Sequence, residues 1–161
     1  MPVRRLTPDD ALLLRSVRLQ ALVDAPEAFG STYEREVAFT DDVWEARLAP
    51  AANPHFVDED DNGTVQGLVA GVRAEGDPTT IYLVAMWVAA KARGAGSADR
   101  LVRSVIEWAG SEKAQLVRLH VMENNRRAER VYQRHGFART GHTVVRERDG
   151  LAEIEMERHL G

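Results

Sequence analysis

The sequence predicts an α/β domain with a mixed central sheet, and two features lead to this prediction. An apolar, β-branched run at residues 81–89 is followed by a glycine-rich turn, an amphipathic helical pattern and a second β-like run at Leu116–Met122. A strand–helix–strand unit of this kind places its two strands in parallel. On either side of the unit, polar turns between short β-like runs predict antiparallel hairpins.

The first third of the chain predicts one short strand and two helices. Residues 1–6 suit a strand, and the Thr-Pro-Asp sequence at residues 7–9 is a helix-start signal ahead of leucines at helical spacing. We expect this helix to end near Asp24, because a proline follows two residues later. A second, less regular helix is expected over residues 39–48.

A hairpin is expected next, from β-like runs at residues 55–57 and 65–72. The polar stretch DEDDNG joins them, and its Asn62 and Gly63 supply turn chemistry. The same stretch matches the first six positions of a calcium loop, but the twelfth position is Val69 instead of a bidentate glutamate. The run IYLVAMWVA that follows suits a strand buried on both faces.

The second half of the chain continues as helix, strand, helix and hairpin. The helix after the glycine turn should end at Gly110, and the next should open at Asn124 or Asn125 and end at Gly136. The closing hairpin is expected to turn at residues 149–150, where Asp precedes Gly.

Composition limits the class of protein. With 161 residues, of which 44% are hydrophobic, the chain suits a single domain spanning 1–161. A net charge of -4 argues against a nucleic-acid partner. The absence of cysteine excludes disulfides and a thiol nucleophile. Because no stretch resembles a signal peptide or a membrane span, we expect a cytoplasmic protein with no membrane partner.

The glycine-rich turn lies in the stretch ARGAGSADRLV, residues 92–102. A helix start carries unpaired N–H groups and partial positive charge, and small residues let a phosphate approach the main chain. A P-loop would need Lys and Ser or Thr after Gly96, where Ser97 and Ala98 stand. A dinucleotide fingerprint beginning at Gly94 fails at its last position, which is Asp99.

A third pattern fits, in two motifs. The first, Arg/Gln-x-x-Gly-x-Gly/Ala, is formed by Arg93, Gly96 and Ala98 at the strand-to-helix turn. The second, Asn-x-x-Ala-x-x-x-Tyr-x-x-x-Gly-Phe, is formed by Asn125, Ala128, Tyr132, Gly136 and Phe137. In this order, separated by a strand, they resemble the GNAT superfamily of acetyl-CoA-dependent N-acetyltransferases.

The resemblance implies a fold, a cosubstrate and binding residues. The fold would be a GNAT-like mixed, mostly antiparallel sheet with one parallel strand–helix–strand unit and helices on both faces. Backbone amides of the loop would hold the pyrophosphate of acetyl-CoA, and main-chain groups of Met86 and Val88 would pair with the pantetheine arm. The cofactor-binding residues would be Met86, Val88, Arg93, Gly94, Ala95, Gly96, Ser97, Ala98, Asn125 and Tyr132, with no metal.

The resemblance also suggests catalytic roles. Tyr132 would donate a proton to the CoA thiolate, while Asn125 would cap its helix, contact CoA, or do both. Many relatives place a glutamate on the fourth strand as the base, but IYLVAMWVA contains no acid. Glu123, Glu34 and Glu36 are candidates for this role, and a water chain or a base on the substrate stays open.

The arginines and histidines are less certain members of a site. Arginines on the two flanking helices are candidates for the CoA 3′-phosphate: Arg100, Arg103, Arg126, Arg127 and Arg130. The five histidines stand singly, without a His-x-x-x-His pair, which favours structural or surface roles over zinc binding.

The function expected from these features is acetyl transfer from acetyl-CoA directly to a primary amine, with the acceptor unidentified and a homodimer possible. The alternatives are a catalytically silent acyl-CoA-binding module or sensor and, with less support, a dinucleotide-binding domain.

Overall fold

The computed structural model describes residues 3–161, so Met1 and Pro2 of the expected first strand lie outside it. The strands are β1 (Val3–Arg5), β2 (His55–Glu59), β3 (Val65–Ala74), β4 (Asp77–Val88), β5 (Leu116–Met122), β6 (Ala138–Val145) and β7 (Ala152–His159). The helices are α1 (Ala11–Asp24), α2 (Tyr33–Val37), α3 (Asp41–Arg47), α4 (Ser97–Ser111) and α5 (Arg126–Arg134). Short 3-10 helices occupy Pro8–Asp10, Pro26–Ala28 and Ala90–Ala92.

The strands follow the order β1-β2-β3-β4-β5-β7-β6 in one sheet. β4 and β5 pair in parallel over Thr80–Tyr82, while β1 with β2, β2 with β3, β5 with β7 and β6 with β7 are antiparallel. This confirms the predicted α/β class with a mixed, mostly antiparallel sheet. The parallel pair is the one that the strand–helix–strand pattern predicted, because α4 makes the crossover between its strands.

The chain divides into two compact units. The first unit contains the residues up to Ala70 together with Ala85–Leu101. Its core joins α1 to residues of α3 and of β2 to β4, including the fully buried Leu14, Trp44, Val57 and Leu68. This cluster explains why the leucines at helical spacing in residues 11–24 form a helix: one face is covered by the sheet.

The second unit contains Gly71–Val84 and Val102–Gly161. Its buried residues alternate along the strands, as Ile81 and Leu83 do on β4 and Val117, Leu119 and Val121 do on β5. The alternation corrects one expectation. β4 is not buried on both faces, because Tyr82 is only half-buried and Val84 is 37% exposed.

Two glycines on β3 let α4 lie close to the sheet. In the first unit, a Cβ at Gly67 would come within 2.7 Å of Leu101 Cδ1 and 2.9 Å of Ser97 Oγ. In the second, a Cβ at Gly71 would come within 2.7 Å of the Trp108 ring. Contacts below 3.0 Å cannot be accommodated without movement, so these positions exclude larger side chains.

The element boundaries mostly follow the sequence signals. α1 ends at Asp24, Thr40 is the N-cap of α3, and Asn125 is the N-cap of α5, as expected. The sequence reading missed α2, a five-residue helix whose start is capped by Thr32. A helix this short leaves too little apolar periodicity to detect.

Candidate functional site

Residues 93–98 form the turn between β4 and α4, and we call them the phosphate loop. Gly94 and Gly96 have φ angles of 86° and 87°, in the left-handed region that favours glycine. The helical hydrogen bonds begin when Arg100 N–H donates to Gly96 O at 3.1 Å. The N–H groups of Ser97 and Ala98, in the first turn, therefore have no partner within the helix.

The phosphate loop has the surface that an anion needs. Gly94 and Ala95 are exposed, and neither carries a side chain large enough to cover the amides behind them. The N–H groups of Arg93 and Ala95 already donate to Ala90 O and Ala92 O, whereas the amides of Ser97 and Ala98 lie in the first turn of a 15-residue helix, at the positive end of its dipole. A helix start of this kind is typical of turns that bind phosphate.

Arg93 fixes the first end of the phosphate loop. Its Nε donates to Val88 O at 3.3 Å, and its Nη2 lies 3.5 Å from Asp24 Oδ2 at the end of α1. Asp24 also accepts a hydrogen bond of 2.9 Å from Trp87 Nε1. The motif arginine thus ties the loop to its own strand and to α1.

Arg100 fixes the other end. It donates two hydrogen bonds to Asp58 on β2, from Nε at 3.1 Å and Nη2 at 2.9 Å, and a third from Nη1 to Ala95 O at 3.2 Å. The Asp58 side chain is fully buried, and Gln66 Nε2 donates to it at 3.0 Å. Because this guanidinium already donates to Asp58 and to Ala95 O, Arg100 is a weaker candidate for binding the 3′-phosphate.

The Asp58 carboxylate is stabilised in its charged form. Burial alone would raise its pKa, but Arg100, Ser97 and Gln66 together hold that pKa below its usual value. The Ser97 hydroxyl is buried beside Asp58, although among residues 3–161 no partner meets strict hydrogen-bond geometry at its Oγ. Asp58 and Arg100 therefore form a charged pair beneath the phosphate loop.

The end of β4 lies in the same unit as the phosphate loop. Ala85 has a φ of 59°, unusual for a residue with a Cβ, and interrupts the regular strand. Met86 and Val88 are half-buried on either side of the buried Trp87. Within the described chain the last β4 residue paired with β5 is Tyr82, so the pairing ends six residues before the strand does.

The remaining predicted site residues lie on or before α5, in the second unit. Asn125 accepts a hydrogen bond of 3.1 Å from Ala128 N–H through its side-chain oxygen, which is the expected cap. Tyr132 is 5% exposed and packs edge-on against Phe137 at a centroid distance of 5.9 Å. Burial raises the pKa of the Tyr132 phenol well above its usual value, so the hydroxyl stays protonated at neutral pH.

The candidate bases differ in their surroundings. Glu34 and Glu123 are exposed. The Glu36 carboxylate is 1% exposed, and Arg18 donates two hydrogen bonds of 3.0 Å to it while Arg47 donates one of 3.3 Å. Burial opposes its ionisation, but Arg18 and its other partners lower the pKa of Glu36 overall. A carboxylate stabilised in this way is a poor proton acceptor.

Residues 3–161 were also compared with the requirements of a metal site and of a membrane-spanning helix, and they meet neither. No group of three or more His, Asp or Glu side chains is placed to hold a metal ion. None of the helices there combines the length and the apolar character that crossing a membrane requires.

Comparisons with known proteins identify the family. A model of the acetyltransferase (GNAT) family matches residues 19–137. An acetyltransferase of the GNAT family from Streptococcus pneumoniae is 19% identical, with a TM-score of 0.83 over 99% of this chain and 98% of the other. A GCN5-related N-acetyltransferase from Kribbella flavida is 26% identical, with a TM-score of 0.76 over 98% and 96% of the two chains.

A third similar structure is that of yncA from Salmonella typhimurium with its cofactor acetyl-CoA. It is 18% identical, with a TM-score of 0.78 over 99% of this chain and 93% of the other. No curated protein sequence matches significantly. The fold and the motif-bearing loop define an acyltransferase of the N-acetyltransferase class. The chain belongs to the acetyltransferase (GNAT) family.

Sequence reasoning missed the residues that hold the phosphate loop. Asp24, Asp58 and Gln66 have no sequence signal that links them to the loop, because Asp58 and Arg100 are 42 residues apart. In the sequence Asp58 belongs to the stretch DEDDNG, which predicts a hairpin turn, whereas the structure places it on β2.

Proposed function

We propose that this protein transfers the acetyl group of acetyl-CoA directly to a primary amine. The single observation that carries the proposal is the phosphate loop, whose family motif lies at the start of α4, with Gly94 and Ala95 exposed and both of its ends held by arginines. Acetyl-CoA supplies an acyl group activated as a thioester. The absence of cysteine agrees with direct attack by the amine, since no thiol can form an acyl-enzyme.

The binding roles follow from the first unit. Amides of residues 93–98 hold the pyrophosphate, although those of Arg93 and Ala95 also donate within the turn. Main-chain groups of Met86 and Val88 pair with the pantetheine arm as an added strand would. The Val88 carbonyl already accepts a hydrogen bond from Arg93, so one of its two lone pairs is used within the protein. The acetyl-CoA bound in the similar yncA structure supports this choice of cosubstrate.

The proposed acid is Tyr132. The ordinary pKa of a phenol is about 10 and that of a thiol about 8.5, so complete transfer of a proton from the phenol to a free thiolate is uphill. Burial raises the pKa of Tyr132 and enlarges this difference. We therefore propose that Tyr132 donates its hydrogen bond while the carbon–sulfur bond breaks, and that a proton released by the amine completes the transfer.

Other roles remain proposals of lower weight. Asn125 uses its oxygen as a helix cap and keeps its NH₂ group for CoA. Four exposed arginines stay as candidates for the 3′-phosphate: Arg103, Arg126, Arg127 and Arg130. Glu123 is a candidate base because it follows β5 directly and is exposed. We also propose that residues 1–161 act as one acetyltransferase domain, since the family match includes residues of both units.

The proposal is tested first by ligand binding. Acetyl-CoA at 100 times its dissociation constant should add about 2.7 kcal/mol to the free energy of unfolding, which raises the Tm by about 5 to 10 °C for a domain of this size. The measurement is a thermal-shift series with acetyl-CoA, CoA, NAD and NADP. Stabilisation by NAD or NADP alone would contradict the assignment of the loop.

Turnover is tested next with a series of amines: polyamines, aminoglycosides, lysine peptides and free N-termini. Release of CoA is followed with a thiol reagent, which has no protein background because the chain contains no cysteine. Acetyl-CoA binding with turnover of at least one amine supports the enzyme. Binding without turnover of any amine would favour the alternative, a catalytically silent acyl-CoA-binding module.

Replacing Gly96 with leucine should weaken acetyl-CoA binding by about tenfold or more, because a 1 to 2 kcal/mol strain at positive φ reshapes the loop and the side chain covers its amides. Isothermal titration with CoA measures the affinity. Gly141 is a matched control, since it has a φ of 91° on β6, outside the loop, with open space around it. Gly141→Leu should carry similar backbone strain, without the 3.1 Å approach to Arg100 Nη1 that a Cβ at Gly96 makes, and should bind CoA normally. Equal affinities in both variants would reject the loop as the binding site.

A further inference from the structure

The sheet of the second unit brings together a histidine and a glutamate that the sequence keeps apart. His120 on β5 and Glu155 on β7 are directly paired in the antiparallel register. His120 Nε2 lies 3.3 Å from Glu155 Oε2, and the histidine side chain is 30% exposed while that of Glu155 is 14% exposed. A neutral imidazole that donates Nε2–H to this carboxylate keeps its Nδ1 lone pair to accept a proton.

The neighbours fix both partners in place. The Tyr82 ring of β4 stacks on His120 at a centroid distance of 6.2 Å and an interplanar angle of 19°. Thr140 on β6 donates to Glu155 Oε1 at 2.9 Å. The other charged groups near the pair are Arg118, which lies 3.6 Å from Glu155 and also contacts Glu157, and His142 on β6. Burial opposes ionisation of Glu155, but the hydrogen bond from Thr140 and the charge of Arg118 lower its pKa overall, so it stays an acceptor.

His120 lies near the carboxyl end of β5, beyond the residues that pair with β4. Tyr82 and Arg118 form the last recorded parallel pair of β4 with β5. His120 is the next residue of β5 on the face of Arg118, since side chains alternate along a strand. It therefore lies on the part of β5 that, within residues 3–161, has no recorded β4 partner. The carboxyl ends of parallel strands are where ligands bind in α/β sheets.

We propose that His120 is the general base of the acetyl transfer and that Glu155 positions it; this inference rests on the proposed function. Residues 81–88 of β4 include no acid, and imidazole is the side chain whose ordinary pKa lies nearest neutrality. His120 Nδ1 takes one proton from the ammonium form of the acceptor. The amine lone pair then forms the carbon–nitrogen bond as the carbon–sulfur bond breaks, the sulfur keeps that electron pair and gains the second amine proton, and His120 returns its proton to solvent.

The test uses His120→Gln, because glutamine keeps a donor for Glu155 but cannot titrate. With an alkyl amine that the wild-type protein acetylates, kcat/KM should fall about 100-fold and the loss of rate at low pH should disappear from its pH profile. Hydroxylamine is mostly neutral at pH 7 and needs no base, so its acetylation should be nearly unchanged. Glu155→Gln should cause a smaller loss of the same kind. CoA affinity should not change in either variant.

His142→Gln is the matched control, because His142 is an exposed histidine on β6 near the same glutamate. It should keep the wild-type kcat/KM and pH profile. A wild-type rate and pH profile in His120→Gln, or an equal loss with hydroxylamine, would overturn the role of His120 while leaving the acetyltransferase intact. Absence of turnover in the wild-type protein with every amine would instead reject the proposed function.

Discussion

Replacing Arg100 with methionine should lower the free energy of unfolding by about 3 kcal/mol, because it leaves the buried Asp58 carboxylate without its cation. Methionine preserves much of the aliphatic volume, so the loss reports mainly on the charge. The phosphate loop also loses the bond to Ala95 O. We therefore expect weaker CoA binding together with the lower stability.

The measurement is urea unfolding across a pH series. In the wild-type protein the pKa of Asp58 is lowered in the folded state, so its contribution is present at neutral pH and is lost as the pH falls through that lowered pKa. The difference between wild type and variant should therefore be largest at neutral pH and shrink in acid. A difference that is independent of pH would show that packing, not the charge, is responsible.

Arg103 is the matched control for this variant, since it lies on the same helix and is exposed. Arg103→Met should change the free energy of unfolding by less than about 0.5 kcal/mol. Arg100→Lys should fall between the two, because lysine keeps the charge but cannot donate in a fork to both carboxylate oxygens.

Replacing Tyr132 with phenylalanine should lower kcat about 100-fold while acetyl-CoA affinity stays unchanged. Phenylalanine keeps the ring and its edge contact with Phe137, so only the hydroxyl is lost. Because burial raises the pKa of this phenol, its donor form persists through the neutral range, and the wild-type rate should not fall from ionisation of Tyr132 below about pH 10.

Single-turnover kinetics and CoA titration separate the two expected effects. Tyr33→Phe is the control, because Tyr33 is 39% exposed on α2. It should keep the wild-type kcat. A normal kcat in Tyr132→Phe would remove the hydroxyl from the mechanism, and a weaker affinity with normal kcat would make Tyr132 a binding residue only.

Local signals predicted most of the elements. β5 was expected over Leu116–Met122 and has those bounds, and the Asn125 cap and the hairpin turn at residues 149–150 also follow the sequence. Each depends on a few adjacent residues: an alternating apolar run, a capping side chain, or glycine at positive φ. The two family motifs could be recognised for the same reason, since each lies within a short stretch of sequence.

Contacts between distant residues were not predictable. One pattern of apolar residues on β4 is compatible with burial on one face or on both, and only the neighbouring strands and helices decide which. The Asp58–Arg100 and His120–Glu155 pairs join residues 42 and 35 positions apart. Neither pair could be selected from the many acids and bases of the chain without the strand register.

The sequence alone therefore determined most of the elements, the mixed sheet, the glycine-rich turn and the two family motifs, because each is encoded in residues close together along the chain. The tertiary structure decided which charged side chains are buried and paired. Asp58 became a partner of Arg100, and Glu36 became a partner of Arg18, because a carboxylate removed from water needs a cation and hydrogen bonds. The fold brings those partners together, and their separation along the sequence does not predict it.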